Sequence, residues 1–146
     1  MKAYELRSGV AADENWLFDL YCRTMMPFTK ATWGWDNAFQ SAGFSEHLAP
    51  ADWTVITISQ RGVGGFVLKE NISNVWLEML LIEPDYQGCG IGSSVVQSIK
   101  DSAVASGKPL QLSVMKSNTA TSFYEAHGFT VYDADDWCYK LQWLPE

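Results

Sequence analysis

Apolar and polar positions along this chain repeat with two different periods, and the changes of period mark out its elements. Trp16, Leu17, Leu20 and Tyr21 recur at helical spacing within residues 11–26, with Asp13 and Glu14 placed early, where a helix N-terminus favours negative charge. Pro27 predicts an end or a bend there, because it lacks the amide a helix interior needs. A second helix is predicted over 36–47, and Thr32-Trp33-Gly34-Trp35-Asp36 between the two reads as a loop or helix junction. Residues 3–7 alternate enough to form a short opening strand.

Residues 53–59 are rich in β-branched side chains, 62–65 supply glycine for a turn, and 66–69 resume an extended pattern, which predicts a hairpin. From Val75 to Ile82 apolar residues occupy both alternating sets, as in a central strand covered on both faces, and Pro84 stops it. Ile91, Val95, Val96, Ile99 and Ala103 then form a helical stripe, closed by Gly107 and Pro109. Leu110, Leu112 and Val114 alternate with Gln111 and Ser113 as a strand. Asn118 predicts a helix start, with Ala120, Phe123, Tyr124 and His127 on one stripe and Gly128 as its stop, and two further strands are expected over 129–132 and 137–143. Strands alternating with helices imply a mixed α/β sheet covered on both sides.

The length of 146 residues suits a single domain over 1–146, and 47% apolar residues with seven tryptophans suit one buried core. The formal charge of -7 argues against nucleic acid, which requires clustered Lys and Arg, and suits a cationic partner better. Cys22, Cys89 and Cys138 have neither zinc-ligand spacing nor a disulfide framework, so reduced thiols and no metal are expected. No stretch resembles a signal peptide or reaches the roughly 18 apolar residues of a membrane span, which makes a cytoplasmic protein the expectation.

Gln87-Gly88-Cys89-Gly90-Ile91-Gly92 stands between the central strand and the next helix. Glycines there let the backbone approach a ligand closely, and the helix behind them aims unpaired amides at an anion. A dinucleotide fingerprint would place its third glycine at the sixth position from Gly88, which is Ser93, and a phosphate loop of nucleotide hydrolases would end in Gly-Lys-Ser/Thr, where this chain has Gly92-Ser93. Both are excluded, while a plain strand-to-helix turn remains open on the residues alone.

The loop resembles the acyl-coenzyme A binding motif of the GNAT N-acetyltransferases, Gln/Arg-x-x-Gly-x-Gly/Ala, with Gln87, Gly90 and Gly92 at the fixed positions. Asn118-Thr119-Ala120-Thr121-Ser122-Phe123-Tyr124-Glu125-Ala126-His127-Gly128-Phe129 resembles the second signature of that family, Asn-x-x-Ala-x-x-hydrophobic-Tyr-x-x-x-Gly-Phe. The resemblance is dense over residues 75–132. It implies a mixed, mostly antiparallel sheet of about six to seven strands flanked by about four helices, and transfer of an acetyl group from acetyl-CoA to a primary amine of a small molecule or peptide. It further implies that the amides of Gly88, Cys89, Gly90, Ile91, Gly92 and Ser93 hold the coenzyme pyrophosphate, with Gln87 in the motif. The main chain of Leu80, Leu81 and Ile82 would carry the pantetheine arm, with Asn118 meeting it. A homodimer, common in that family, would have exposed strand edges near the C-terminus to use.

Attack of an amine on a thioester needs an uncharged amine, a polarised carbonyl and a proton for the departing thiolate. Glu78 is the sole charged side chain between Val75 and Ile82, and the resemblance makes it a candidate general base; a solvated or ion-paired strand carboxylate is the rival reading. Tyr124 occupies the position implied to approach the coenzyme sulfur and donate the proton, against a reading as a buried aromatic. Trp33, Trp35 and Asp36 suit a cationic acceptor by cation-π attraction and charge, or else pack the core and cap a helix. His47 and His127 show no recognisable partner in the sequence, and a cysteine-acylated route through Cys89 is not expected, since the family transfers the acyl group directly.

Overall fold

A computed structural model describes residues 3–145. Seven strands, β1 (Glu5–Ser8), β2 (Trp53–Ile58), β3 (Arg61–Glu70), β4 (Val75–Ile82), β5 (Leu110–Met115), β6 (Thr130–Ala134) and β7 (Cys138–Trp143), form one sheet in the order β1-β2-β3-β4-β5-β7-β6. Every neighbouring pair is antiparallel except β4 and β5. Helices α1 (Glu14–Trp33) and α2 (Asn37–His47) cover one face, where Leu17, Leu20, Phe44, Leu48, Trp53, Val67 and Leu81 pack together. On the other face, α3 (Ile91–Ser106) and α4 (Ala120–Ala126) close the larger cluster, in which the stripe Ile91, Val95, Val96, Ile99 and Ala103 meets Val75, Leu77, Leu110, Leu112 and Leu141. Among the described residues no helix is long and apolar enough to cross a membrane.

Two expectations are corrected. Of the end or bend expected at Pro27, the end is ruled out. Helix α1 runs on to Trp33, because its last turns are held from outside: Thr29 is buried, Ser117 Oγ donates to the Phe28 carbonyl at 3.0 Å, and Thr32 Oγ1 lies 2.9 Å from Ser117 Oγ. Those tertiary contacts offset the hydrogen bond that proline removes. The hairpin reverses at Ser59 and Gln60, both with positive φ (50° and 67°), and the glycines after them lie inside β3. Close approach is what requires them: a Cβ on Gly62 would stand 2.7 Å from the Trp16 ring, and one on Gly64 2.4 Å from the Leu81 carbonyl oxygen.

A bulge at Glu78 positions the site. Leu68 pairs with Leu77 and the adjacent Val67 with Met79, leaving Glu78 as the extra residue. The side-chain alternation therefore changes phase: Val75 and Leu77 join the α3 layer, whereas beyond the bulge Met79 and Leu81 join the α1 and α2 layer, and Leu80 and Ile82 turn to α3. Pairing with β5 stops at the same place, extending only from Val75 to Leu77. The strands part beyond it, and the far half of β4 faces an opening instead of a neighbour.

Candidate active site

The opening is a cavity of about 750 Å³, within the usual range for a ligand site. Its lining joins Leu80, Leu81 and Ile82 of β4, the loop residues Gln87, Gly88 and Gly90, Gly92 and Ser93 of α3, and Asn118 and Tyr124 around α4. It thus brings together most of the donor-side residues singled out in the sequence.

The loop is shaped for an anion. A turn of 3-10 helix over Pro84–Tyr86 leads out of β4, and the chain then reverses with Gly88 at φ +74° and Gly90 at φ +92°, a region that disfavours any side chain with a Cβ. Gln87 Nε2 donates to the Ile82 carbonyl at 2.9 Å and ties the loop back to β4. Ser94 N is the first amide of α3 to find a helical acceptor, Gly90 O at 3.1 Å. The amides from Gly88 to Ser93 have no acceptor among the described residues, so a run of donors adjoins the positive end of a helix. Ile91 is fully buried and anchors the turn in the core, while Cys89 is exposed and its Sγ lies 2.9 Å from the Tyr86 carbonyl; neither side chain lines the cavity.

Across the cavity, Asn118 Oδ1 accepts from Ala120 N at 2.9 Å, just ahead of α4. Tyr124 packs between the rings of Phe123 and Phe129 (centroids 5.2 and 5.5 Å), and its hydroxyl has no hydrogen-bond partner among the described residues. Burial raises the Tyr124 pKa far above that of an ordinary phenol, so the group stays protonated through the neutral range.

Glu78 lies outside the cavity lining. It is exposed, on the α1 and α2 side of the sheet, and accepts from Trp76 Nε1 at 2.6 Å. The residues expected to meet an acceptor are likewise apart from the cavity. Trp33 is exposed and sits 6.5 Å from Trp137, Trp35 packs against Tyr21 at 5.9 Å, and Asp36 Oδ1 caps α2 by accepting from Phe39 N at 2.9 Å. Sequence reasoning missed the contribution of α1, whose Arg23, Thr24, Met25 and Phe28 form one wall, and also Phe123 and Thr119. Thr24 and Phe28 are one helical turn apart and would have marked a face, had the helical pattern been followed past Pro27, where an end or a bend was expected. Arg23 is held by Asp19 at 2.7 Å and Glu83 at 2.5 Å, which keeps the guanidinium beside the loop. Among the described residues no cluster of His, Cys, Asp and Glu could hold a metal ion.

A mostly antiparallel sheet that splays at a bulged central strand, with a glycine loop and helix N-terminus in the opening, defines an acyltransferase-type fold. The chain belongs to the GNAT acetyltransferases: the model of the acetyltransferase (GNAT) domain matches residues 31–139. The structure is similar to that of the PaiA N-acetyltransferase from Thermoplasma acidophilum in complex with coenzyme A (19% identity, 97% of this chain and 99% of that chain, TM-score 0.77). It is also similar to an acetyltransferase from Thermus thermophilus (19%, 97% and 97%, 0.76) and to the ribosomal-protein-S18-alanine N-acetyltransferase from Escherichia coli (17%, 97% and 94%, 0.71). At these identities the likeness is one of fold. No curated protein matches the sequence.

Proposed function

We propose that this protein is an acetyl-CoA dependent N-acetyltransferase that passes the acetyl group directly to a primary amine of a small molecule or peptide. The observation that carries this reading is the run of unengaged amides from Gly88 to Ser93, opening into a cavity whose other walls include β4, α1 and Tyr124. Those amides hold the pyrophosphate, and the main chain of Leu80, Leu81 and Ile82, released from β5, pairs with the pantetheine amides. The thioester then lies near the splay. The amine nitrogen attacks the thioester carbon, the carbon–sulfur bond breaks, and the neutral Tyr124 hydroxyl gives its proton to the departing thiolate. Glu78 serves as base from the α1 and α2 side, taking the amine proton through water, while Trp33, Trp35 and Asp36 receive a cationic acceptor.

Among the described residues no carboxylate lines the cavity, and this favours a second reading, a domain that binds acyl-CoA without acetylating an amine. Calorimetric titration with acetyl-CoA, followed by thiol release over a panel of amines and peptides, tests both. Absence of binding at millimolar donor removes the reading altogether, and binding without acceptor-dependent thiol release selects the second.

A further inference from the structure

His127 has a partner that the sequence did not reveal. Its Nε2 lies 3.1 Å from Ser93 Oγ, and Ser93 lines the cavity at the end of the run of free amides. The imidazole is held in place from several sides. It packs on the Phe123 ring at a centroid distance of 4.7 Å, and its own carbonyl accepts a hydrogen bond from the buried Lys100 ammonium. That ammonium in turn sits over the Trp143 ring at 5.1 Å. A half-buried ring fixed at both its face and its backbone directs Nε2 at one hydroxyl.

We propose that His127 is a positioning residue for the donor: its Nε2–H donates to Ser93 Oγ and thereby turns the Ser93 hydroxyl proton toward the coenzyme pyrophosphate. The inference rests on the acetyl-CoA reading above. A hydroxyl has one proton and two lone pairs. If Nε2 accepted from Ser93, the proton would be spent on the ring and an oxygen lone pair would face the phosphate. With Nε2–H as donor, a lone pair is spent on the ring and the proton is free. An anion held by the amides from Gly88 to Ser93 selects the second arrangement, because it alone adds a donor to the cradle. The Nε2–H tautomer suffices, and a protonated ring acts in the same sense.

The test compares His127→Phe, which keeps a ring against Phe123 but has no donor, with His127→Gln, whose amide can donate, and with Ser93→Ala and the Ser93→Ala/His127→Phe double variant. Calorimetric Kd for coenzyme A is expected to rise about tenfold in His127→Phe and in Ser93→Ala, the loss of one hydrogen bond to a charged group. The double variant should be no weaker than either single one, and His127→Gln should recover most of the affinity. In turnover, KM for acetyl-CoA should rise with kcat little changed, and the effect should shrink with S-acetylpantetheine, which has no phosphate. Losses that add in the double variant, a Kd within about twofold of wild type in Ser93→Ala, or equal effects on acetyl-CoA and S-acetylpantetheine would overturn the proposal. Ser93 is exposed, so its variant keeps the test decisive if His127→Phe fails to fold. A wild-type protein that does not bind coenzyme A would instead sink the functional reading itself.

Discussion

Replacing Gly64 with alanine puts a methyl group against the backbone of β4, 2.4 Å from the Leu81 carbonyl oxygen, 3.1 Å from Ile82 Cδ1 and 3.2 Å from Ile82 Cα. The Ile82 side chain can rotate away, but the carbonyl and Cα cannot move without the strand. Ordinary contact lies near 3.5 Å, so β4 must retreat locally by about 1 Å. Over-packing of this kind costs about 1–3 kcal/mol, which at this chain length lowers Tm by roughly 3–9 °C. Gly43→Ala is the matched control. It is the same chemical change inside α2, where a Cβ meets nothing within 4 Å, and it should stabilise by about 0.5–1 kcal/mol by restricting the unfolded chain and favouring the helix. Thermal unfolding followed by circular dichroism reads both, with denaturant unfolding to check that the two-state slope is unchanged. Because the displaced segment is a wall of the cavity, Gly64→Ala should also weaken acetyl-CoA binding. A Tm for Gly64→Ala within about 1 °C of wild type, or a fall for Gly43→Ala, would refute the reasoning from close approach.

Other outcomes can be checked as directly. Gly90→Ala, which forces a side chain into φ +92°, should weaken acetyl-CoA binding at least tenfold while changing Tm by only a few degrees, since the strain of about 1–2 kcal/mol falls on the cradle; unchanged calorimetric affinity would mean that the cradle does not hold the donor. Tyr124→Phe should lower kcat by about 100-fold or more with little change in acetyl-CoA Kd, and an unchanged kcat removes the residue from proton donation. Arg7 forms two contacts with Asp13, at 2.8 and 2.9 Å, and this hydrogen bonding holds the Asp13 carboxyl below its ordinary pKa. A depressed folded-state pKa means stability that is present above the unfolded value of about 3.9 and lost as pH falls through the folded one. The Tm difference between wild type and Asp13→Asn should therefore be open at pH 7 and close in strong acid; a difference independent of pH would show that the charge plays no part.

How legible the molecule was in its sequence differs between elements for identifiable reasons. The stripe of α3 and the alternation of β5 were plain because each depends on one period set by local backbone geometry. The end of α1 was not legible, since Pro27 locally favours an end or a bend, and the contacts that carry the helix past it, among them Ser117, lie far along the chain. Gly62, Gly64 and Gly65 were misread as a turn because a turn and a close approach both select glycine, and the deciding neighbours, Trp16, Leu81 and Trp53, are distant in sequence. His127 showed no partner for the same reason, its contact Ser93 being one helix and one strand away.

By itself the sequence determined the family, the element types and the glycine-shaped turn before α3, because these depend on short-range constraints: glycine where φ is positive, apolar periodicity, and two motifs in fixed order. Only the tertiary structure decided that β4 changes its face at Glu78 and leaves β5 there. That bulge is a matter of register between strands, which no local pattern encodes. It both opens the cavity beside the far half of β4 and leaves Glu78 outside the cavity lining, because one extra residue in the strand changes which way every later side chain faces.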